Sequence, residues 1–234
     1  YTTGSRYKHF GENSNQQYVV SRSVWNNNST KYFNNTGVAN DLLLEYTSRE
    51  TENKFRFENN TNLNNFRINF GVGLEQANYS TTTFQKEANS QNILTRNFSS
   101  ELNLFKYALF GQVSKNYFNS KLGVSLGFRL DGNNYNTSMK NAFNQFSPRV
   151  SATFSLNEKW SVNSSVGRYY QLPTYTSLGF RNNANVLVNQ QNLTYIQSNH
   201  VVSGLEFKPD SSSKITLEGF YKSYSNYPFS VRNQ

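Results

Sequence analysis

The sequence predicts an all-β fold, an antiparallel transmembrane β-barrel wall that supplies about ten strands of a larger barrel. Three observations lead to this prediction. Apolar and polar residues alternate over long segments, short turns alternate with long loops, and aromatic residues cluster where strands meet turns or loops. In such barrels the short turns lie at the periplasmic rim and the long loops at the extracellular rim.

The clearest alternation lies between Lys106 and Asp131. Every second position of its second half is apolar: Leu122, Val124, Leu126, Phe128 and Leu130. Small or polar residues fill the positions between them, which is the period of a strand with one apolar and one polar face. The first half alternates too, so the whole segment is predicted to be a hairpin with its turn at 117–120.

Two further hairpins follow the same pattern, and residues 66–74 alternate as well. One has its turn at 157–159, after a strand with the apolar residues Phe146, Pro148, Val150, Ala152, Phe154 and Leu156. The other has its turn at 209–212, between the apolar residues Val201, Leu205 and Phe207 and the apolar residues Ile215, Leu217 and Tyr221. Each strand is long enough to cross a bilayer at a tilt.

Long polar segments separate these hairpins and are predicted to be extracellular loops: 76–101, 132–144 and 170–198. The N-terminal part is predicted to contain loops at 1–17 and 26–40, short strands at 18–25, 41–48 and 53–59, and a turn at 60–65. The chain enters another loop after Tyr224. Aromatic residues near the turns, such as Trp160 and Phe207, fit the aromatic girdles of membrane interfaces.

Composition agrees with a barrel wall. Only 35% of the residues are hydrophobic, as expected where one strand face meets lipid and the other meets water. The chain has 23 Lys and Arg against 14 Asp and Glu, a formal charge of +9. This charge fits a basic lumen for an anionic solute, contacts with lipopolysaccharide phosphates, or a local excess balanced elsewhere in a longer protein. Nucleic-acid binding is not expected, because no recognition helix or RNA-binding signature occurs.

Neither catalysis nor a bound cofactor or metal is predicted. The chain has two histidines, His9 and His200, and no cysteine, which excludes a disulfide framework and a thiolate metal site. No metalloprotease, nucleophile-elbow, phosphate-binding or dinucleotide-binding motif is present. The sequence therefore indicates a protein that is not an enzyme.

Residues 146–178 read FSPRVSATFSLNEKWSVNSSVGRYYQLPTYTSL. This segment resembles a mid-barrel stretch of TonB-dependent outer-membrane receptors, with a Ser-Pro-Arg strand start, a short turn, a Gly-Arg-aromatic strand end and a Leu-Pro loop. The segments 199–206 and 217–222 resemble the two strands that follow, and the Tyr227-Pro228 pair comes after them. Phe110-Gly111-Gln112 is similar to the start of an earlier strand.

The resemblance implies that residues 1–234 are a partial β-barrel domain, without the N-terminal plug domain. It implies an outer-membrane receptor that binds a scarce solute, such as a ferric siderophore, at the cell surface for TonB-energised import. The implied partners are outer-membrane lipid and lipopolysaccharide, the plug, the remaining barrel strands and the TonB complex. The solute itself is not identified.

Solute-contacting residues are expected on long loops and on inward strand faces near them. The candidates are Arg129, Asp131, Arg168, Tyr169, Tyr170, Arg181 and Asn182, with Asn183 beside them. Basic and aromatic groups suit an anionic iron chelate, whereas Asn and Tyr side chains suit a sugar. Ordinary solvated loop residues and structural ion pairs are the alternative interpretation of each.

Two other functions remain open from the sequence. A secreted or surface β-sandwich could act as a binding or adhesion module, and it would fold in water without partner strands. A passive porin would conduct ions constitutively and carry no plug domain.

Overall fold

The computed structural model describes residues 1–88, 93–182 and 184–229. These residues form one ten-stranded antiparallel sheet in which each strand pairs with its neighbours in chain order. The predicted all-β barrel wall is thereby confirmed. A single sheet is also different from the two packed sheets of the alternative sandwich.

The strands are long. They are β1 Thr2–Phe10, β2 Ser14–Tyr32, β3 Leu42–Leu63, β4 Phe66–Ala88, β5 Ile93–Tyr117, β6 Leu122–Asn133, β7 Ser147–Ser155, β8 Trp160–Gln171, β9 Ile196–Phe207 and β10 Ile215–Ser225. Two short helices lie in the loops, α1 Thr137–Lys140 and α2 Tyr175–Leu178. Single 3-10 turns occur at Phe33–Asn35, Ala39–Asp41 and Ala142–Gln145.

Connections of different length lie at the two ends of the sheet. One rim has the short connections 11–13, 64–65, 118–121, 156–159 and 208–214. The opposite rim has the longer segments 33–41, 134–146 and 172–195. Residues 89–92, between β4 and β5, lie outside the described residues. The predicted asymmetry is therefore present, with one short turn more than predicted, at 11–13. The predicted turn before β4 lies at Asn64–Asn65, where φ is 46° and 67°.

Strand register defines an apolar face and a polar face of the sheet. Directly paired residues point to the same side of a sheet. Leu126 pairs with Val113 and Val150, and Phe154 pairs with Leu122 and Val162. This side is the apolar face. Arg129, Ser125 and their cross-strand neighbours form the polar face, so the predicted facing of the three hairpins is confirmed.

The prediction of a loop at 76–101 is wrong. β4 continues to Ala88 and β5 begins at Ile93, and their register is continuous throughout. A strand crosses a bilayer with about 9–11 residues, which matches the apolar segment 66–74. β4 has 23 residues, so the ladder continues well past its apolar segment.

The polarity of the two faces reverses in this extension, which explains the error. Gln76 and Asn78 follow Leu74 on the apolar side, while Ala77 and Tyr79 on the other side are buried. Backbone hydrogen bonds continue the sheet whether or not side chains alternate. Alternation with the apolar residues on one face therefore identifies β4 only as far as Leu74.

The N-terminal predictions also need correction. Residues 1–17 are not a loop, because they contain β1 and the start of β2. The predicted loop at 26–40 is also partly wrong, because β2 continues to Tyr32. The two short strands predicted at 41–48 and 53–59 are parts of one strand, β3, and the turn at 60–65 is confined to Asn64–Asn65. Polar residues such as Asn, Thr and Ser dominate these strands and hide the period of two.

The principal buried core lies between the long-loop rim and the polar face. Loop residues from 134–146 and 172–195 pack on the extensions of β4 and β5 in one cluster: Ala77, Tyr79, Leu102, Leu104, Tyr135, Met139, Leu178 and Tyr195. We call the loop residues of this cluster the loop roof: Tyr135, Met139, Leu178 and Tyr195. Met139 and Leu178 are completely buried.

Aromatic residues mark the short-turn rim, as predicted. The Trp160 and Phe207 rings stack with centroids 4.3 Å apart, and Tyr117 and Phe118 lie 6.4 Å apart. None of the helices in the described residues has the length and apolar character needed to cross a membrane.

Candidate functional site

The Phe110 ring extends over its cross-strand neighbour, which is a glycine, on the polar face. Gly71 pairs directly with Phe110. A Cβ placed on Gly71 would come within 2.4 Å of both the Phe110 ring and the carbonyl oxygen of Phe57. Only a residue without a side chain fits there, so the ring can cover the backbone of β4.

Replacing Gly71 by Ala is expected to lower the free energy of unfolding by about 1–3 kcal/mol, because the new methyl group overlaps a ring and a backbone oxygen. Gly73→Ala is the matched control, since its Cβ would meet only the Ala108 Cβ at 3.8 Å. Urea unfolding of the full-length receptor in lipid vesicles measures both. Equal destabilisation by the two substitutions would contradict the role of Gly71.

Two guanidinium groups lie near the Phe110 ring, and each is paired with a carboxylate. The Arg56 Cζ is 4.9 Å from the ring centroid and the Arg129 Cζ is 5.9 Å from it. Arg56 donates to Glu58 at 2.8 Å. Arg129 binds Asp131 through both Nε and Nη2, with Nη2 to Oδ1 at 2.7 Å. The ring and the two ion pairs form a row across the polar face.

A second ionic network lies on the same face, closer to the long-loop rim along β3, β4 and β5. Lys106 contacts Glu75 and lies 3.6 Å from Glu52, and Lys54 lies 2.6 Å from Glu52. Tyr175 of α2 joins this network, because its hydroxyl donates to Glu52 at 2.7 Å and accepts from Lys106 at 2.6 Å. Burial, followed by the hydrogen bond to Glu52, raises the pKa of the Tyr175 phenol. The phenol therefore remains a neutral donor.

These groups surround a cavity of about 310 Å³ under the loop roof. Its walls include basic, acidic and aromatic side chains: Lys54, Arg56, Glu75, Lys106, Phe110, Arg129, Asp131, Tyr170 and Tyr195. Each of the four cations has a carboxylate partner among Glu52, Glu58, Glu75 and Asp131. The excess positive charge of the chain is therefore not concentrated in this cavity.

The roof of the cavity is held by buried hydrogen bonds. Asn133 is fully buried, donates to the Tyr195 hydroxyl at 2.9 Å and accepts from the Tyr135 amide at 2.8 Å. The Tyr135 hydroxyl donates to the Leu178 carbonyl at 2.7 Å. Burial raises the pKa of both Tyr135 and Tyr195 to about 12. Both phenols therefore stay protonated at neutral pH and keep the two loops joined.

Three of the seven predicted residues meet at this cavity. Arg129 and Asp131 line it from β6, and Tyr170 lines it from β8 while its hydroxyl donates to Gln197 at 2.9 Å. The sequence placed Tyr170 at the start of a loop, whereas the structure places it near the end of a strand.

The other predicted residues lie elsewhere. The Tyr169 ring lies 4.6 Å from His200 and 4.4 Å from the Arg149 Cζ. Arg168 is exposed and donates to Asn199 at 3.1 Å.

Arg181 and Asn182 line a second cavity of about 370 Å³ at the long-loop rim, together with Arg96 and Phe180. Arg181 donates to the Asn185 carbonyl at 2.8 Å, and Asn182 caps the turn that follows by accepting from Val186 at 3.0 Å. Asn183, named with them in the sequence, lies outside the described residues.

Sequence reasoning missed Arg56, Glu75, Lys106 and Phe110. Glu75 and Lys106 pair directly across β4 and β5, but the predicted loop at 76–101 separated them. The charged ones lie on the polar face of a strand, near the point where the alternation of apolar and polar residues ends. A charged residue at such a position is the sequence signal that could have identified them. No group of three or more metal-binding side chains occurs among the residues that the structure describes.

Solved structures with a similar fold include a copper transporter, a ferric enterobactin receptor and a ferripyoverdine receptor. The copper transporter OprC aligns with a TM-score of 0.71 at 12% identity, over 97% of this chain and 38% of OprC. A ferric enterobactin receptor (PfeA) from Pseudomonas aeruginosa aligns with a TM-score of 0.70 at 15% identity, over 97% and 34%. The ferripyoverdine receptor of the outer membrane of Pseudomonas aeruginosa gives 0.71 at 12%, over 97% and 33%.

At these identities the structural similarity shows the fold alone. The chain spans between 33% and 38% of the length of each of these proteins. A comparison with curated protein sequences gives no match.

The family comparison covers the whole chain. The family described as "TonB dependent receptor-like, beta-barrel" matches residues 1–234. TonB-dependent receptors are transporters rather than enzymes, in agreement with the sequence. The ten-stranded sheet, its two rims and this end-to-end match show that the chain belongs to the TonB-dependent receptor β-barrel family.

Proposed function

We propose that this chain forms part of the barrel wall of an outer-membrane receptor that binds a scarce solute, such as a ferric siderophore, and imports it with energy from the TonB complex. Family membership supports the receptor class. The neighbours named above include receptors for ferric enterobactin and ferripyoverdine and a copper transporter. In this proposal the apolar face meets lipid and the polar face meets the lumen.

The observation that carries the proposal is the cavity on the polar face under the loop roof. It lies where the apolar face ends, at the level of Leu74, so it opens near the extracellular surface of the barrel. Phe110 and Tyr170 offer aromatic surface for stacking. Arg129 offers a guanidinium group that a solute oxygen can share with Asp131.

The remainder of the receptor is also part of the proposal. Within the described residues, β1 and β10 each pair with one neighbour only, so each leaves one edge unpaired. An unpaired strand edge in lipid costs several kcal/mol per backbone group, so a membrane barrel must be closed. We propose that further strands close the barrel and that a plug domain fills its lumen and contacts the TonB complex.

Growth assays identify the solute. Cells lacking the whole receptor gene are tested on ferric chelates, vitamin B12 and glycans as limiting nutrients. One class is expected to support growth only when the intact gene is present. Unchanged growth on every class would contradict the import function.

Uptake of that solute by receptor variants tests whether the cavity binds it. We expect Arg129→Gln to lower uptake roughly tenfold, because a hydrogen bond to a charged group contributes about 1.5–3 kcal/mol. Arg168→Gln is the control, since Arg168 is exposed and lies outside the cavity. Loss of uptake in Arg168→Gln without loss of uptake in Arg129→Gln would contradict solute binding in the cavity.

A further inference from the structure

Four strands, β2 to β5, continue toward the long-loop rim beyond the level of the cavity, and β5 has an open edge there. β5 pairs with β4 from Ile93 to Lys115, whereas β6 pairs with β5 only from Lys106 to Tyr117. Within the described residues, the segment 93–105 therefore has a strand neighbour on one side only. This edge lies between β5 and β6, so strands that extend the sheet from β1 or β10 do not pair with it.

The hydrogen bonds of Asn134 show which backbone groups point to the open edge. Its amide donates to the Phe105 carbonyl at 3.2 Å, and its side-chain oxygen accepts from the Phe105 amide at 2.9 Å. Its side-chain nitrogen donates to the Asn103 carbonyl at 3.4 Å. In an antiparallel ladder, residues two positions apart direct N–H and C=O to the same side. Every second residue from 95 to 101 therefore directs both groups to the open edge: Thr95, Asn97, Ser99 and Glu101.

The backbone groups of these four residues are available to a further strand. Within the part of the chain that the structure describes, they make no backbone hydrogen bond across the open edge. The side chains of all four residues are exposed. Asn134 binds the lower end of the edge in the way that a neighbouring strand would. The seven residues from 95 to 101 extend over roughly 20–24 Å, which one short extended peptide covers.

The open edge lacks the features that usually prevent the addition of a strand. Edge strands are commonly protected by proline, by lysine or by a β-bulge. Residues 93–103 contain neither proline nor lysine, and the register of β5 with β4 is continuous. β2, on the other side of these four strands, has Lys31 and a register shift between Lys31 and Tyr32. The edge of β5 is therefore suited to β-augmentation, in which an extended peptide adds a strand to a sheet.

The second cavity lies beside this edge and indicates the chemistry of the peptide. Its walls come from β5 and from the loop 172–195. The Arg96 Cζ lies 5.7 Å from the centroid of the Phe180 ring. Arg181 donates to two neutral groups, the Ser100 hydroxyl at 3.3 Å and the Asn185 carbonyl at 2.8 Å. Two guanidinium groups beside an aromatic ring favour acidic and apolar side chains.

Alternation along an added strand matches this arrangement. Directly paired residues point to the same side of a sheet, so every second side chain of the peptide faces the cavity. The side chains between them lie beside Thr95, Asn97 and Ser99, which are polar and exposed. The edge therefore fits a peptide in which acidic or apolar residues alternate with hydroxyl-bearing residues.

We propose that the open edge of β5 binds an extended acidic segment of another protein outside the cell as an added antiparallel strand. The backbone of this segment pairs with residues 95–101, and its acidic side chains bind Arg181. A second copy of the receptor does not fit, because β5 runs toward the membrane in both copies and the two edges cannot pair antiparallel. This inference rests on the proposed outer-membrane location and is independent of which solute the receptor imports.

Peptide binding to the purified full-length receptor in lipid nanodiscs tests the backbone pairing. The probe is the fluorescent peptide Thr-Glu-Thr-Phe-Thr-Glu-Thr with blocked ends, and fluorescence anisotropy measures its binding. With Glu and Phe facing the cavity, the threonine amides donate to β5, because hydrogen-bonded pairs share one side of the sheet. We expect N-methylation of the threonines to abolish binding. N-methylation of the Glu and Phe residues, whose amides point away from β5, is expected to leave binding unchanged.

Receptor variants test the same edge from the other side. Ser99→Pro removes an amide that points to the open edge and keeps the ladder with β4, so we expect peptide affinity to fall about tenfold. Ser99→Ala is the control, because it removes the hydroxyl that lies 3.2 Å from Thr82 and keeps the amide. Arg181→Gln is expected to weaken binding of the acidic peptide about tenfold, and not that of a peptide with Gln in place of Glu.

Any of four results would overturn the proposal. These are absence of peptide binding, equal effects of the two N-methylation patterns, unchanged binding in Ser99→Pro, and equally tight binding of the peptide with Gln in place of Glu. Solute uptake by cells with Ser99→Pro is expected to be unchanged. Failure of the peptide site and failure of the import function are therefore distinguished.

Discussion

Replacing Leu126 by Arg is expected to lower the free energy of unfolding of the full-length receptor by about 2–4 kcal/mol in a bilayer. Leu126 lies on the apolar face of β6 between Val113 and Val150, and half of its surface is exposed. In the proposed membrane barrel, that exposed surface meets hydrocarbon. A guanidinium group placed there must be desolvated or must draw water and headgroups into the bilayer.

The matched control is Ser125→Arg, one position earlier on the same strand. Ser125 lies on the polar face, where its hydroxyl accepts a hydrogen bond from Ser114 at 2.9 Å. An arginine there enters the water-filled side of the wall, so we expect a much smaller loss of stability. Urea titration in lipid vesicles, followed by the shift of a folded band in unheated gel electrophoresis, measures both variants. Equal losses at Leu126 and Ser125 would contradict the assignment of the two faces.

The faces of the C-terminal strands could be predicted because apolar and polar residues alternate along most of the length of each strand. In β6 the apolar residues from Leu122 to Leu130 keep one phase without interruption. The register then follows, since a shift by one residue would turn every apolar side chain to the wet side. Short turns such as 156–159 leave little freedom in how the strands connect.

The extensions of β4 and β5 could not be predicted in this way. Above Leu74 the outer side is polar and the inner side packs under the loops, so the phase that identified the strand reverses. The contacts that bury Tyr79 and Leu102 come from residues such as Leu178, which lie far along the chain. A short-range pattern contains no information about such a partner.

The candidate site was predictable only where its residues are close in sequence. Arg129 and Asp131 are two positions apart on one strand, so their common face follows from alternation alone. The hydrogen bond between Tyr175 and Glu52 joins residues separated by 123 positions, and it depends on where the loop 172–195 packs. The balance of charges in the cavity likewise depends on pairs across strands, such as Glu75 with Lys106.

The second large expected effect is a loss of stability in the loop roof. Leu178 is fully buried in the cluster that joins α2 to β4 and β5. Replacing it by Ala removes apolar contacts and leaves a cavity, at an expected loss of about 2–5 kcal/mol. Because this cluster lies beyond the apolar face, the loss is expected in the local stability of the loops and not in that of the strands that cross the bilayer.

Hydrogen exchange of the full-length receptor in lipid vesicles distinguishes these regions. In Leu178→Ala the amides of 134–146 and 172–195 should exchange faster, whereas those of β6 between Leu122 and Leu130 should keep their protection. Val186→Ala is the control in the same loop, because Val186 is 55% exposed. Uniform loss of protection over the whole wall would mean that roof and wall unfold together. Unchanged exchange would mean that the roof is held by its hydrogen bonds, such as that from Tyr135 to the Leu178 carbonyl, without the apolar core.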